Sequence, residues 1–584
     1  MSSGTSRSPL RLSTDPHLPH HTAWSDGKVA ALVALAVLAA CVAVHLPFIA
    51  TYAVRGDTAA LMLHSTRFFP VDAGEWVREG FARYFINYPE ATRPYTGFVR
   101  PVVNATIWLE SLLAAGPGSP VFLLTNYLGH AACAALVYLA SRRLGGLERR
   151  PALLAAALFA GTLAAVELLR SPAFRADMLA AGFSLAALLL ADGWLRGGRP
   201  TRIALASALL VLAIFSKETA VTAPFLCAAW VAVLTQSERP RRMRIAAAAV
   251  LLLPLGAFAL ARAVGPEGAY VSLAGVKGNL AQVATSAFFP GGGVFELRAV
   301  LRGGAAMDAA TVRALVALAL NLAGAALVVR ALLRRDRHAA MLGVAAAAAF
   351  AIPALLAPVP RMLYFGQMFA LPLLVRALPE RESASRLLAG LALLAGPAWL
   401  LGSTAAAQPG LVAANRDSAR LQRVLATELR DPRVRRVYLV GDVVGDYGAL
   451  ALVRVAALRA GRADVAPRVT SSMGRFGDGW RRGTMALRRE GRELVVDQRC
   501  GAACDFSFPG VAAGDERRLG APGTIVYRVV EPRRLVFAIP VAACDYLLVG
   551  FTPARDGVHV LRPCGTVWHT VSYDVAGHRS GSRD

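Results

Sequence analysis

The chain has 584 residues, of which 55% are hydrophobic and 17% are charged, and its mean hydropathy is +0.47. Soluble domains carry roughly 25% charged residues, so this composition excludes a soluble enzyme, a disordered chain, collagen and a coiled coil. The net charge of +25 comes from 63 basic against 38 acidic residues. Because the arginines lie between apolar runs, they are typical of the loops of a membrane protein and do not favour nucleic acid as a partner.

Long apolar runs indicate the architecture. A helix that crosses ~30 Å of hydrocarbon needs about 20 mostly apolar residues. The polar segment 1–27 is too long and polar for a cleaved signal, and we predict it to be disordered and cytoplasmic. Eleven apolar runs follow it, of which the fifth is short, at 29–54, 120–141, 151–169, 177–195, 202–216, 219–236, 243–264, 311–333, 339–357, 362–378 and 386–405. The stretch 101–116 is also apolar, but its polar flanks and Glu110 favour an interfacial helix. The sequence therefore predicts an α-helical polytopic membrane domain over 28–405.

Arginine clusters predict the orientation, because basic residues accumulate in cytoplasmic loops. If the N-terminus is cytoplasmic and 101–116 does not span, every cluster falls inside. The clusters lie at 142–150, 196–202, 239–244, 330–337 and 376–386. The scarcity of lysine beside abundant arginine, alanine and glycine is typical of a GC-rich bacterial genome. The pattern thus predicts an N-in, C-out protein of a bacterial inner membrane, with a long periplasmic first loop at 55–119.

The first external loop contains a candidate for acid–base chemistry. Asp57 follows the first membrane helix directly, so we expect its carboxylate at the outer membrane surface. There it can serve as a general base toward an acceptor hydroxyl, or alternatively as an N-cap for the residues that follow. Within the same loop, 72–85 has aromatic residues at helical spacing and predicts an interfacial amphipathic helix. Arg100 precedes the second interfacial helix.

Further polar residues lie at the predicted external ends of membrane helices. His130 lies four residues after Asn126 on one helix face, where it is either a substrate contact or a link between helices. Glu167, Arg175 and Asp177 flank the next external turn, and ionisable groups at membrane depth are functional candidates. Arg175 can bind a phosphate with two parallel N–H bonds, or it can belong to a salt-bridge cluster that ties two helices together.

Two later segments add cations on the same predicted side. Lys217 is one of three lysines in the chain and is followed by Glu218. A compact ammonium suits a nearby anionic group, and a Lys217–Glu218 pair in a short loop is the alternative. Arg361 and Tyr364 begin the tenth predicted span, at a position suited to contact a phosphate or a sugar.

The composition changes after residue 405, and 406–584 is predicted to be a small extracytoplasmic α/β domain. An amphipathic helix at 415–430 precedes several short apolar runs that are bounded by turn residues, a pattern typical of strands. Four cysteines in an external compartment favour disulfides and allow three pairings, of which we favour Cys500 with Cys504 and Cys544 with Cys564. The sequence contains no spacing typical of metal ligands.

Six segments of the chain, in this order, resemble the GT-C membrane glycosyltransferases, and in particular the protein O-mannosyltransferase-like proteins. The closest likeness is to the transmembrane-and-tetratricopeptide mannosyltransferases and their bacterial relatives, over roughly residues 50–380. After the acidic residue at position 57, the segments are FVRPVVNA, LLTNYLGHAACAALVYL, VELLRSPAFRADMLAA, LAIFSKETAVTAP and PRMLYFGQMFALPLL. Where the family often has two adjacent acids in the first loop, this chain has Gly56-Asp57, and no tetratricopeptide array follows.

The resemblance implies a hexosyltransferase that moves a sugar, in the family often mannose, from polyprenyl phosphate to an acceptor hydroxyl on the periplasmic side. Asp57 would be the base, and the lipid phosphate would leave into a cationic cradle. The implied phosphate ligands are Arg175, Lys217 and Arg361, and the implied supporting residues are Glu167, Asp177, Arg100, His130, Glu218 and Tyr364.

The expected partners are the bilayer, the polyprenyl-linked sugar, and an acceptor that is a protein, a lipid or a glycan. The sequence identifies no definite cofactor, and a divalent cation at Asp57 stays open. Two other functions fit the composition: a lipid or polysaccharide transporter or flippase, and a non-catalytic membrane protein of envelope assembly. A transporter would favour an inverted repeat of helices with breaks at the membrane midplane, and the sequence has no such repeat.

Overall fold

The structure is a computed structural model in which most helices and the strands of the C-terminal part are described. The described residues are 25–54, a few residues of the first loop, 100–235, 237–264, 276–288, 309–355, 360–378, 412, 415–416, 418–440, 446–462, 465–469 and the strands that follow. The predicted helix at 72–85 and the predicted eleventh span at 386–405 lie outside the described residues.

Apolar helices form the N-terminal two thirds of the described chain. They are α1 (Asp26–Ala50), α2 (Pro101–Leu113), α3 (Leu124–Arg143), α4 (Arg149–Ala160), α5 (Leu163–Leu169), α6 (Arg175–Leu195), α7 (Thr201–Ser216), α8 (Thr222–Ala229), α9 (Arg241–Val264), α10 (Val276–Ser286), α11 (Ala309–Leu333), α12 (Arg337–Leu355) and α13 (Tyr364–Ala377). Six helical segments of the described residues are long and apolar enough to cross a membrane, at 26–50, 120–143, 172–195, 241–261, 315–333 and 337–355. The chain is therefore a helical membrane protein.

Two predicted spans are interrupted, and one loop that the sequence predicts to be external contains a helix. The run 151–169 is split between α4 and α5, because Thr162 begins a new helix with its hydroxyl accepting the Ala165 amide at 3.3 Å. The run 219–236 begins with a 3₁₀ turn and ends in a π-helical turn, Trp230–Leu234. The predicted loop 265–310 contains α10.

Hydrogen bonds between loops define two ends of the helix bundle. Arg196 donates to the Arg143 carbonyl at 2.8 Å, and His338 lies 2.8 Å from the Leu144 carbonyl. We call this the arginine-rich end. Since consecutive helices run back and forth, the loops that contain Arg175, Lys217 and Arg361 lie together at the other end, here called the site end.

Helix α2 lies at the site end and is too short to span. Its 13 residues extend about 20 Å, against ~30 Å of hydrocarbon. Val103 and Ile107 are fully buried, whereas Leu109 and Leu113 on the opposite side are exposed. This one-sided burial is typical of a helix that lies along a bundle rather than through it.

The C-terminal part contains a helix across 418–428, the helix α14 (Asp446–Arg459) and short strands. The strands are β1 (Arg436–Val440), β2 (Ala466–Val469), β3 (Met473–Gly474), β4 (Thr484–Glu490), β5 (Glu493–Arg499), β6 (Asp505–Phe506), β7 (Glu516–Leu519), β8 (Ile525–Glu531), β9 (Arg534–Pro540), β10 (Tyr546–Thr552), β11 (Gly557–Cys564), β12 (Val567–Tyr573) and β13 (Arg579–Arg583). Among the described strands, one sheet has the order β13-β12-β11-β10-β1-β2 and another the order β4-β5-β9-β8-β7. Strand β1 is parallel to both neighbours, and α14 makes the crossover from β1 to β2.

Candidate functional site

Four of the predicted site residues form one chain of charges at the site end. The Lys217 ammonium donates to Asp177 Oδ1 at 2.5 Å, and both side chains are almost fully buried. The other oxygen of the same carboxylate, Asp177 Oδ2, lies 3.9 Å from Arg361 Nε. Arg361 Nη1 lies 3.9 Å from Glu167 Oε2. Because loops from three helical hairpins supply these groups, the arrangement is a tertiary one that no single motif contains.

Lys217 is held where the chain leaves α7 in an extended conformation, with φ −160° and ψ 138°. Burial lowers the pKa of the Lys217 ammonium, and the charge of Asp177 opposes that effect. A buried ammonium is stable only beside a compensating anion. Lys217 is therefore bound tightly to Asp177 in this structure.

Arg361 is held differently from Lys217. Its guanidinium lies over the Phe174 ring, 4.1 Å from the ring centroid, and its side chain is 27% exposed. Its backbone N–H donates to Glu167 Oε2 at 3.2 Å. Both of its ion pairs, at 3.9 Å, exceed hydrogen-bond length. The guanidinium is thus oriented by an aromatic ring and a backbone contact, and among the described residues its N–H groups lie beyond hydrogen-bond length from both carboxylates.

A second ion pair lies close to Lys217. Arg100 Nη2 donates to Glu218 Oε2 at 2.8 Å and Arg100 Nε to the same oxygen at 3.2 Å. The charge of Arg100 also acts on Lys217. The pair joins the start of α2 to the turn after α7, so the two predicted supporting residues stabilise the wall of the site.

A narrow cleft opens beside Asp177, with a volume of about 10 Å³, which is roughly the space that one water molecule needs. Its lining includes Asp177, Thr219, Pro353, Met362 and Phe365. The charged chain and the cleft therefore share one carboxylate, and apolar side chains form most of the remaining wall.

Arg175 belongs to a separate hydrogen-bond network, which shares no partner with Lys217 or Arg361 among the described contacts. Its Nη1 donates to Glu110 Oε2 at 2.7 Å and to the Thr106 hydroxyl at 3.0 Å. Its Nε donates to Asn126 Oδ1 at 2.9 Å, and its Nη2 donates to the Phe122 carbonyl. The side chain is fully buried, and that of Glu110 is 5% exposed. Each guanidinium nitrogen thus donates to a protein acceptor, and the salt-bridge reading of Arg175 describes its contacts in this structure.

The partners of Arg175 are themselves held. Glu110 Oε1 accepts the Thr125 amide at 2.9 Å, and the Asn126 amide group donates to the Ser171 carbonyl at 2.9 Å. Sequence reasoning did not connect Glu110 with Arg175. The one signal for Glu110 was that it is the sole acid in the apolar stretch 101–116.

His130 and Tyr364 pair with each other inside the bundle. Nδ1 of His130 lies 2.7 Å from the Tyr364 hydroxyl, and Nε2 lies 3.2 Å from the Ala160 carbonyl. Both side chains are fully buried. Their contacts link α3, α13 and the break between α4 and α5, so these two residues stabilise the packing of the helices that carry the site.

Asp57, the predicted base, lies outside the described residues, and so do Cys500, Cys504 and Cys544 and the side chain of Cys564. Thr58 is described and buried. Its hydroxyl is hydrogen-bonded to the Ser171 hydroxyl at 2.9 Å. Ser171 lies between Glu167 and Asp177 in the sequence.

Over the described residues, no group of three histidine, cysteine or carboxylate side chains lies close enough together to hold a metal ion. A comparison with known proteins finds no family model that matches this chain, and no curated protein matches it.

Proposed function

We propose that the protein is a membrane glycosyltransferase that moves a sugar from a polyprenyl-phosphate donor to an acceptor hydroxyl at the site end of the bundle. In this proposal the chain has eleven spans with the N-terminus inside, and the site end and an α/β domain at 406–584 face the periplasm of a bacterial inner membrane. Mannose is the candidate sugar. The proposal rests on the segments that resemble GT-C enzymes and on the charges around Asp177.

The observation that carries the proposal is the state of Arg361. A lipid phosphate needs a cation that is already oriented but not used up by protein acceptors. Arg361 is stacked on Phe174 and lies 3.9 Å from two carboxylates. Arg175, by contrast, donates from every guanidinium nitrogen to buried protein groups. Arg361 is therefore our first phosphate ligand, with Lys217 as the second cation and Arg175 as a residue that stabilises the site.

The proposed reaction needs three functions from the chain. Asp57 removes the proton from the acceptor hydroxyl as its oxygen attacks the anomeric carbon. The bond between that carbon and the phosphate oxygen breaks, and polyprenyl phosphate leaves. Arg361 and Lys217 stabilise the charge that develops on the phosphate, while Glu167 and Asp177 keep both cations in place when no donor is bound.

The position of Thr58 agrees with this assignment. Its hydroxyl meets Ser171 at 2.9 Å, and Ser171 precedes the turn that contains Phe174. Because Thr58 follows Asp57 directly in the sequence, the proposal expects the base near the segment that orients Arg361.

The experiment uses the full-length protein in lipid nanodiscs with a panel of polyprenyl-phosphate sugars, and it measures release of free polyprenyl phosphate. Loss of one charge-assisted hydrogen bond costs about 1.5–3 kcal/mol, so Arg361→Gln should lower kcat/KM roughly 10- to 100-fold. The matched control is Arg376→Gln, since Arg376 is 25% exposed and pairs with Asp336 at the arginine-rich end.

Equal effects of the two variants would remove Arg361 from the mechanism. Movement of the donor across the bilayer without release of polyprenyl phosphate would instead identify a flippase. If the protein neither moves nor cleaves any donor of the panel, that result would favour a non-catalytic protein of envelope assembly.

A further inference from the structure

The C-terminal part, here called the tail, contacts the membrane-helix bundle at the site end through two of its helices. In the helix across 418–428, the Ser418 hydroxyl donates to the Val54 carbonyl at 2.9 Å, and the Gln422 side-chain amide donates to the same carbonyl at 2.7 Å. Both side chains are buried. These hydrogen bonds hold the tail just beyond the end of α1, and the second contact, which α14 makes, is apolar.

One face of α14 packs on the bundle. Leu452 and Val455 lie three residues apart on that face and are fully buried in one cluster with Ala173 and Ala176. The Phe174 side chain packs against the same cluster. The tail therefore shares a buried apolar cluster with the turn whose aromatic ring orients the partly exposed cation of the site.

The opposite face of α14 belongs to the core of the tail itself. Val453 and Ala456 are fully buried in a separate cluster. That cluster also contains Val437 of β1, and Val424 and Leu425 of the helix across 418–428. A single helix thus joins the core of the tail to the turn at the site end, and consecutive residues of α14 belong to different clusters.

The turn at 172–176 is also held by hydrogen bonds. Arg175 donates to Glu110 Oε2, to Asn126 Oδ1 and to the Phe122 carbonyl. These bonds fix the chain directly after Phe174, whereas the apolar cluster packs against the Phe174 side chain. Because close packing keeps a buried side chain in one rotamer, the cluster contributes the part of the ring's orientation that the Arg175 hydrogen bonds do not.

We infer that Leu452 and Val455 are positioning residues for the donor phosphate. They hold the turn at 172–176 so that the Phe174 ring stays beneath the Arg361 guanidinium, which lies 4.1 Å from the ring centroid. The tail thereby sets the affinity of the site end for a lipid phosphate. This inference rests on the proposed function.

Matched substitutions on the two faces of α14 separate this role from the stability of the tail. The test variants are Val455→Ala and Leu452→Ala, which shorten side chains in the cluster with the turn, while the hydrogen bonds to Val54 keep the tail on the bundle. The control variants are Val453→Ala and Leu425→Ala. They remove the same atoms from the core of the tail.

The first measurement is backbone hydrogen–deuterium exchange of the full-length protein in nanodiscs. The turn contains the Phe174 amide, which donates to the Ser171 carbonyl at 3.0 Å. The test variants should speed exchange over 171–178 by about tenfold, because a truncated core side chain loses its contacts there, and leave exchange over 436–440 unchanged. The control variants should show the reverse pattern. Wild-type exchange over 171–178 in the test variants would overturn the inference, and so would an equal increase there in the controls.

The second measurement is binding of polyprenyl phosphate to the same nanodiscs. Loss of an oriented cation–π contact weakens binding about two- to fivefold, so the test variants should show that loss and the control variants should bind like the wild type. In an Arg361→Gln background the test substitutions should have no further effect, because the residue through which they act is absent. The same weakening in that background would overturn the inference.

The two measurements distinguish failure of the inference from failure of the proposed function. If Arg361→Gln weakens the binding of polyprenyl phosphate and the test variants do not, the inference is overturned and the proposed function stands. If the exchange pattern is as expected but the wild type binds no polyprenyl phosphate, the hold of α14 on the turn is supported and Arg361 is refuted as a phosphate ligand.

Discussion

The buried pair of Arg175 and Glu110 offers a test that separates a structural arginine from a phosphate ligand. Replacing Arg175 with leucine leaves Glu110 without its cation in a site where the two side chains are 0% and 5% exposed. Removing one partner of a buried ion pair costs about 3–5 kcal/mol, because the remaining charge is uncompensated. It also leaves Asn126 Oδ1 and the Phe122 carbonyl without a donor.

The expected result is therefore a loss of about 3–5 kcal/mol in the free energy of unfolding, measured by denaturant titration in mixed micelles. The double variant R175L/E110L should regain much of that loss, because neither charge is then buried. Arg150→Leu, at an exposed arginine of the arginine-rich end, should stay within about 0.5 kcal/mol of the wild type. A single Arg175→Leu variant that unfolds like the wild type but no longer binds polyprenyl phosphate would refute the structural role and restore Arg175 as a phosphate ligand.

Three further predictions concern other parts of the chain. Burial alone would raise the pKa of Asp336, but hydrogen bonds from the Ala339 amide and from Arg376 outweigh it and lower that pKa below its usual value. The ionised Asp336 side chain therefore stabilises the fold above its unfolded-state pKa of about 3.9, and this stabilisation is lost as the pH falls through the lower folded-state pKa. Asp336→Ala should lower the free energy of unfolding by about 1–2 kcal/mol at pH 7. Equilibrium unfolding should show that this difference shrinks below about pH 4. Gly366→Ala should destabilise by about 1–3 kcal/mol in the same assay, because its Cβ would meet the Phe350 ring. Alkylation of the oxidised protein should find no free thiol among the four tail cysteines, and four reactive thiols would contradict a periplasmic tail.

Six of the eleven apolar runs correspond to described helices that are long and apolar enough to cross a membrane, since about 20 apolar residues have few alternatives to a helix in lipid. The breaks were harder to predict. Thr162 caps α5 inside the run 151–169, and a single capping residue is a weak signal within a long apolar stretch. The helix α10 lies within 265–310, where the runs of consecutive apolar residues are too short to predict a membrane helix.

The contacts of the site depended on tertiary structure. The set of candidate charges in the sequence contained Lys217, Asp177, Arg361 and Glu167, which the fold brings together through loops of three hairpins. It also contained Arg175, whose partner Glu110 lies 65 residues away. Local spacing does not distinguish a partly exposed arginine such as Arg361 from a fully buried one such as Arg175.

The contact of the tail with Val54 had no signal in the sequence. Ser418 and Gln422 are ordinary polar residues of an amphipathic helix, and they are separated from Val54 by more than 360 residues. A backbone carbonyl as acceptor leaves no trace in side-chain patterns, so a contact of this kind is found only once the helices are placed.

The most direct test of the proposed transferase is turnover by Asp57→Asn, measured as release of free polyprenyl phosphate from a donor that the wild type uses. Asparagine keeps the size of the side chain and caps a helix about as well as aspartate, but it cannot accept the proton. General-base catalysis contributes about 10²–10⁴-fold, so kcat should fall by that factor while the variant inserts into the membrane and binds the donor like the wild type. Near wild-type release by an Asp57→Asn variant with normal donor binding would contradict the account.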